Sequence, residues 1–186
     1  LYVLIQHANY NQSIKLSTLS YVKPFSFIDQ DGKKFTDKDM SGKIWVVSYF
    51  FTSCKGICPV LNKELKNLTV FFKADTNVKF LTHTCQPEKD SVPVLKKYSL
   101  VWGANPQQWI FLTGDKEELY KTARNSYLLD DPNNNLHKIE DDFIHTQFFA
   151  LVDKEGTVRG QIYDALKPQE MAQLKKDIFT LENEKK

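Results

Sequence analysis

The sequence predicts an α/β sandwich, and three observations predict it. An almost unbroken apolar run, Ile44-Trp-Val-Val-Ser-Tyr-Phe-Phe51, leads into a helical repeat at Val60, Leu61, Leu65, Leu68 and Phe72. That repeat is followed by a second β-rich run, Val78-Lys-Phe-Leu-Thr-His-Thr84. Strand, helix and strand in this order make a βαβ unit, and a run without polar alternation belongs to a strand covered on both faces. Trp109-Ile-Phe-Leu-Thr113 and the segment from Asp115 to Asn125 then add another strand and helix. Finally, Phe148-Phe-Ala-Leu-Val152 and Val158-Arg-Gly-Gln-Ile-Tyr163 flank the turn residues Asp153-Lys-Glu-Gly156. That hairpin makes the central sheet mixed.

Taken in order, residues 1 to 22 have weak periodicity and read as an N-terminal arm. Phe25-Ser-Phe-Ile28 is a short strand and Asp29-Gln-Asp-Gly32 a turn, which together predict an N-terminal β-hairpin. Pro59 suits the first position of the helix over 59–73 and disfavours helical backbone at Cys58, so Cys58 is expected to be the N-cap. Residues 90–99 suggest a helix opened by Asp90, with Pro93 in its first turn. The helix from Asp115 carries acidic residues in its opening turn, where they oppose the helix dipole. Leu129 to Asp142 is polar and turn-rich and reads as a long exposed loop. A last helix from Pro168 to Leu181 precedes a charged tail. The organisation expected is an arm over 1–22, one domain over 23–182 and a tail over 183–186.

Composition narrows the function classes. The 186 residues, 41% hydrophobic, suffice for one full core without a disulfide framework. The 25 basic and 23 acidic residues are interspersed, which leaves no polybasic groove for nucleic acid. No apolar run reaches the roughly 18 residues that a membrane span needs. Any membrane contact is therefore expected only through an anchor outside this chain. Three cysteines are an odd number, so at least one thiol is unpaired by any internal bridge.

Two of those cysteines sit in Cys54-Lys-Gly-Ile-Cys58-Pro59, where the buried strand becomes a helix. A thiolate facing unpaired N–H groups at a helix start is stabilised, which favours both metal ligation and redox chemistry. Three uses compete. Structural zinc wants a second close pair of ligands. A redox dithiol wants a spacer free to turn, and Gly56 supplies it. Copper(I) wants soft, low-coordinate ligation by two thiolates and an imidazole. Of the four histidines, His145 lies at the junction of the polar loop with the next strand and is a candidate ligand. His83 alternates with apolar neighbours and reads as structural, and His7 and His137 as solvated surface groups. Cys85, after the second strand, reads as a small buried hydrophobe; the competing reading is a thiol able to trap Cys54 or Cys58 in a non-productive disulfide.

Several motifs occur together in order: Phe51-Thr-Ser-Cys54 with Cys58-Pro59, Gln86-Pro-Glu-Lys-Asp90, Trp109-Ile-Phe-Leu-Thr-Gly114, Ile144-His145-Thr146 and Leu151-Val-Asp-Lys-Glu-Gly156. In this the chain resembles the Sco/SenC family, thioredoxin-fold proteins that handle copper during cytochrome c oxidase assembly. The resemblance implies a thioredoxin-like α/β/α sandwich, copper as the metal, and Cys54, Cys58 and His145 as its ligands. It implies a metallochaperone rather than an enzyme, with a thiol–disulfide oxidoreductase acting on an apo-cuproprotein as the alternative, cycling Cys54 and Cys58. The implied partners are a copper-accepting oxidase subunit and a thioredoxin-like reductant. The implied location is the periplasm, tethered to the inner membrane in the full-length protein. Gln86 and Ile144 stand where the family commonly has Asp, so Asp141 or Asp142 would have to supply any acidic group beside His145.

Overall fold

The computed structural model describes residues 15–130 and 146–184. Its centre is an eight-stranded sheet in the order β1-β8-β7-β4-β5-β6-β2-β3. The strands are β1 (Thr18–Tyr21), β2 (Ser26–Asp29), β3 (Lys34–Thr36), β4 (Ile44–Phe50), β5 (Val78–Thr84), β6 (Trp109–Thr113), β7 (Phe148–Val152) and β8 (Thr157–Asp164). β4, β5 and β6 are parallel, and every other pairing is antiparallel. The helices are α1 (Cys58–Phe71), α2 (Val92–Val101), α3 (Lys116–Thr122) and α4 (Pro168–Asn183). A mixed sheet with flanking helices is the thioredoxin-like α/β fold expected, and β2 with β3 forms the expected hairpin.

All seven β4 side chains are buried, because the strand has helices over both faces. Ile44, Val46 and Phe50 pack into one core with Leu61, Leu65 and Leu68 of α1, Leu95 of α2 and Leu174 and Ile178 of α4. Trp45, Val47 and Tyr49 face a second core with Leu119 and Tyr120 of α3, and with Ala123 and Tyr127 from a π-helical turn over Ala123–Tyr127. Each fully buried aliphatic side chain contributes about 1.5–3 kcal/mol, so the strand joins two cores that neither layer could form alone. In β8, Gly160 has φ +77°, and a Cβ there would lie 2.4 Å from the Tyr163 hydroxyl. That hydroxyl donates to Asp177 of α4 at 2.6 Å, which fixes the helix to the sheet.

Two local readings are refined. Thr18–Tyr21, expected to belong to an extended arm, is an edge strand on β8. With only four residues, Thr18-Leu-Ser-Tyr21 is too short to give a clear periodic signal. The helix expected to open at Asp90 starts at Val92 with Ser91 as N-cap, and Asp90 is used elsewhere.

Candidate metal centre

The loop carrying the thiols leaves the carboxyl end of β4, the side of a parallel sheet at which ligands are usually held. Its first residues are fixed by a carboxylate that comes from after β5. Asp90 has no solvent exposure. Its Oδ2 accepts the Thr52 N–H at 3.1 Å, and its two oxygens also accept the hydroxyls of Thr52 and Thr84. The Thr84 hydroxyl in turn accepts the Gln86 N–H at 3.0 Å. A buried carboxylate persists when its lone pairs are satisfied in this way. The loop is thus tied to the end of β5 two residues before Cys54. Sequence reasoning missed this role because an acid near a helix start reads as a cap; the available signal was that Thr52 and Asp90 belong to two motifs of the same ordered set.

Beyond the tie the chain turns back, with the Cys54 N–H donating to Phe51 O at 3.2 Å, and enters α1. Ile57, at φ −77° and ψ −33°, is the N-cap and Cys58 the first helical residue. The expectation that Cys58 caps the helix as a stabilised thiolate is therefore corrected. Cys58 is 3% exposed and packs in the first core, where burial, followed by its hydrogen bond to Cys54, pushes its pKa up to about 12. Cys54 is half-buried and behaves in the opposite sense. Burial alone would raise its pKa, but the Cys58 side chain and the N–H groups of Cys58, Gly56 and Ile57 donate to its sulfur and hold it below the usual thiol value. Pro59 disfavours but does not forbid helical backbone at Cys58. Once that residue turns inward, the unpaired N–H groups at the helix start face Cys54 instead.

The two thiols are therefore close enough to shift each other's pKa, unbridged, with one open to solvent and one closed off. Adjacent soft donors of this kind suit a thiophilic ion or a reversible disulfide. Cys85 lies in the second core, on the other sheet face. Its thiol donates to Phe50 O at 3.1 Å, and burial raises its pKa. This is the small buried hydrophobe expected. His83 is buried, also as expected, with its ring stacked on Tyr49 at 4.9 Å between centroids. Gln86 accepts a long 3.5 Å contact from the Ser53 hydroxyl, which leaves a neutral amide beside the thiol loop. His137, Asp141, Asp142 and His145 lie outside the described residues, and His7 does as well. Among the described residues no three His, Cys, Asp or Glu side chains converge as a metal site.

The sequence and the fold both match known proteins. A family model described as SCO1/SenC matches residues 15–179. The SCO1 protein homolog of Bacillus subtilis is 32% identical over 152 residues, which is 79% of this chain and 76% of that protein. A solved structure of BsSco, described as a member of the Sco family of cytochrome c oxidase assembly proteins with a disulfide switch, superimposes with a TM-score of 0.78. It is 28% identical, with 94% of this chain and 100% of that one covered. Yeast Sco1 with copper bound superimposes with a TM-score of 0.65 at 26% identity, over 87% of this chain and 90% of that one.

Proposed function

This chain belongs to the SCO1/SenC family, and we propose that it is a copper-binding metallochaperone that delivers copper during cytochrome c oxidase assembly through Cys54, Cys58 and His145. The observation that carries the reading is the sulfur pair: two soft donors in contact, with Cys54 deprotonated readily and reachable from solvent. Copper(I), the cargo, is taken first by the Cys54 thiolate, and binding at Cys58 releases that residue's proton. Cys58 therefore anchors from the core while Cys54 faces an incoming partner. An open site of this kind favours ligand exchange over storage. Support for His145 comes from its motif and from its neighbour Thr146, which precedes β7. The start of β7 lies at the same sheet edge as the carboxyl end of β4, because the two strands are antiparallel neighbours.

The copper-bound yeast relative and the oxidase-assembly role of BsSco support copper as cargo and an oxidase subunit as acceptor. The reading includes a periplasmic location, tethered to the inner membrane, and a thioredoxin-like reductant that keeps the thiols open. Anaerobic copper(I) titration of the reduced protein tests it. Saturation at one ion per chain is expected, lost in Cys54→Ser and Cys58→Ser and weakened in His145→Ala. Unchanged affinity in His145→Ala removes that residue from the ligand set.

A second reading, thiol–disulfide exchange with an apo-cuproprotein, is favoured by the opposed pKa shifts. A low-pKa, half-exposed thiol beside a protonated, buried one is the arrangement of an attacking and a resolving cysteine. Metal-free reduction of a disulfide in the acceptor's copper-binding segment, faster than by glutathione, supports it; no reaction excludes it.

A further inference from the structure

The end of the domain opposite the thiol loop has a chemistry of its own. α1 returns to the start of β5 and α2 to the start of β6, while α4 ends beside the β7–β8 turn. The carboxyl-terminal ends of all three helices therefore gather at the pole away from Cys54. Among the described residues, five large apolar side chains are more than half exposed: Tyr21 (69%), Val70 (55%), Phe71 (54%), Leu100 (65%) and Val101 (76%). All five lie at this pole. Val70 and Phe71 end α1, Leu100 and Val101 end α2, and Tyr21 pairs with Thr157 beside the β7–β8 turn. Phe179 of α4, 45% exposed, continues the surface 6.0 Å from the Phe71 ring, and the Lys175 ammonium lies 4.9 Å from the centre of that ring.

Lysines share this pole, and four of them donate to neutral oxygens. Lys43 donates to Asn77 Oδ1, Lys66 to Gly103 O, Lys79 to Gln107 O and Lys154 to Glu182 O, at 3.0, 3.1, 2.5 and 3.2 Å. Among the acids of this pole, Asp75 and Glu182 interact with each other, and Glu155 lies in the β7–β8 turn beside Lys154. Burial and the bond to Asp75 raise the Glu182 pKa to about 7, so near neutrality the pair carries less than two full negative charges. The result is a surface with apolar tips and more lysines than carboxylates among these groups, which is the composition of a surface that sits at an anionic membrane interface.

We propose that this pole docks on an anionic lipid surface, with Val70, Phe71, Leu100, Val101 and Phe179 entering the headgroup layer and the lysines meeting lipid phosphates. The fold then turns Cys54 away from the membrane, whatever cargo the thiols carry. The sequence led us to expect membrane contact only through an anchor; this surface belongs to the folded domain itself.

Vesicle co-sedimentation of the reduced 186-residue chain tests the proposal, with phosphatidylcholine vesicles compared with vesicles that also contain phosphatidylglycerol. Partition is expected to be at least about tenfold stronger on the anionic vesicles at low salt and to fall as salt screens it. The triple variant Lys43→Gln, Lys79→Gln, Lys154→Gln keeps an N–H donor at each position while removing charge, and it should lose most of that partition. Leu100→Ser with Val101→Ser, at positions already exposed, should weaken it with the thermal midpoint unchanged. Equal partition on both vesicle types, or partition unaffected by both variants, overturns the proposal. Concentration-dependent dimerisation abolished by the Leu100 and Val101 changes, without vesicle binding, also overturns it and makes the surface a self-association face.

Discussion

Replacing His83 by phenylalanine isolates one cause of acid sensitivity. His83 has no solvent exposure and sits among aromatic rings: Tyr49 stacked at 4.9 Å, Phe27 edge-on at 5.6 Å and Tyr127 tilted at 5.4 Å between centroids. Neither ring nitrogen has a well-formed hydrogen bond. Burial depresses its pKa from 6.5 to about 3, a backbone contact at Ser48 offsetting little of the effect. The sign follows from linkage. Above pH 6.5 the imidazole is neutral in both folded and unfolded chains, and its titration costs nothing. Below that value the unfolded chain takes up a proton that the folded one refuses until about pH 3, so stability falls as pH falls. Each unit of difference is worth about 1.4 kcal/mol, so near pH 4.5 the loss is roughly 3 kcal/mol, a large share of a typical 5–15 kcal/mol total. Urea unfolding followed by tryptophan fluorescence, from about pH 7.5 to about pH 4.5, measures it. The wild-type protein should lose roughly 2–3 kcal/mol more than His83→Phe over that range, since carboxylate contributions cancel in the difference. At neutral pH the variant should lie within about 1–2 kcal/mol of wild type, because an added ring carbon strains the packing while two unpaired nitrogens disappear. Parallel pH dependences in the two proteins would refute the reasoning.

Iodoacetamide at neutral pH should label Cys54 well before Cys58, and Cys85 only on unfolding, as read by peptide mass mapping. The order follows from the lowered Cys54 pKa and the raised values of the other two. Arg159→Ala should cost about 3–5 kcal/mol in chemical denaturation, because it strands Asp153 and Glu184, now paired with the guanidinium at 2.7 and 2.9 Å, and frees Leu16 O. Asp90→Asn should cost about 1–3 kcal/mol, and a double-mutant cycle with Thr52→Ala should show coupling rather than additivity. In the same variant, a shifted equilibrium between the Cys54–Cys58 dithiol and its disulfide in glutathione buffer would separate loop positioning from stability alone. Glu182, raised to about 7 by burial and then by its bond to Asp75, carries the opposite sign to His83. The protonated acid is favoured in the folded chain, so its contribution is present below 4.5 and lost as pH rises towards 7; Glu182→Gln should remove that loss, which solvent screening keeps below about 1 kcal/mol.

The elements legible in the sequence were those whose signal is local. β4 was read from an unbroken apolar run because helices cover both its faces, and the β7–β8 hairpin from turn residues between β-rich runs. β1 was missed because Thr18-Leu-Ser-Tyr21 is only four residues long, too short for its alternation to stand out, and it gains its strand pairing from β8, which lies far along the chain. Asp90 was misread for a related reason. Its cap-like position is local, whereas its partners Thr52 and Thr84 lie 38 and 6 residues away. At the site, the sequence identified the thiol pair but not the division of labour within it. That division depends on which cysteine the helix start turns inward, and Cys54 and Cys58 both lie within reach of Pro59. His145 was put forward through its motif and its place at a loop–strand junction, and it lies outside the described residues.

Under the proposed function, the division between the thiols also bears on why a strand-to-helix loop would serve copper transfer. A pair equally exposed and equally acidic would oxidise readily and hold a soft ion from both sides with equal strength. Here the core keeps Cys58 protonated, and the helix N–H groups keep Cys54 ready. A metal ion must therefore displace a proton from a buried thiol to gain its second sulfur, which lowers net affinity without removing a ligand. The Asp90 tie limits how far the loop can move to escape that cost, since Thr52 stays bound to the end of β5. Weakened but preorganised binding is what transfer requires. Because it arises from which side chain the fold buries, the proposed copper site would behave differently if the same residues stood on an exposed, untied loop.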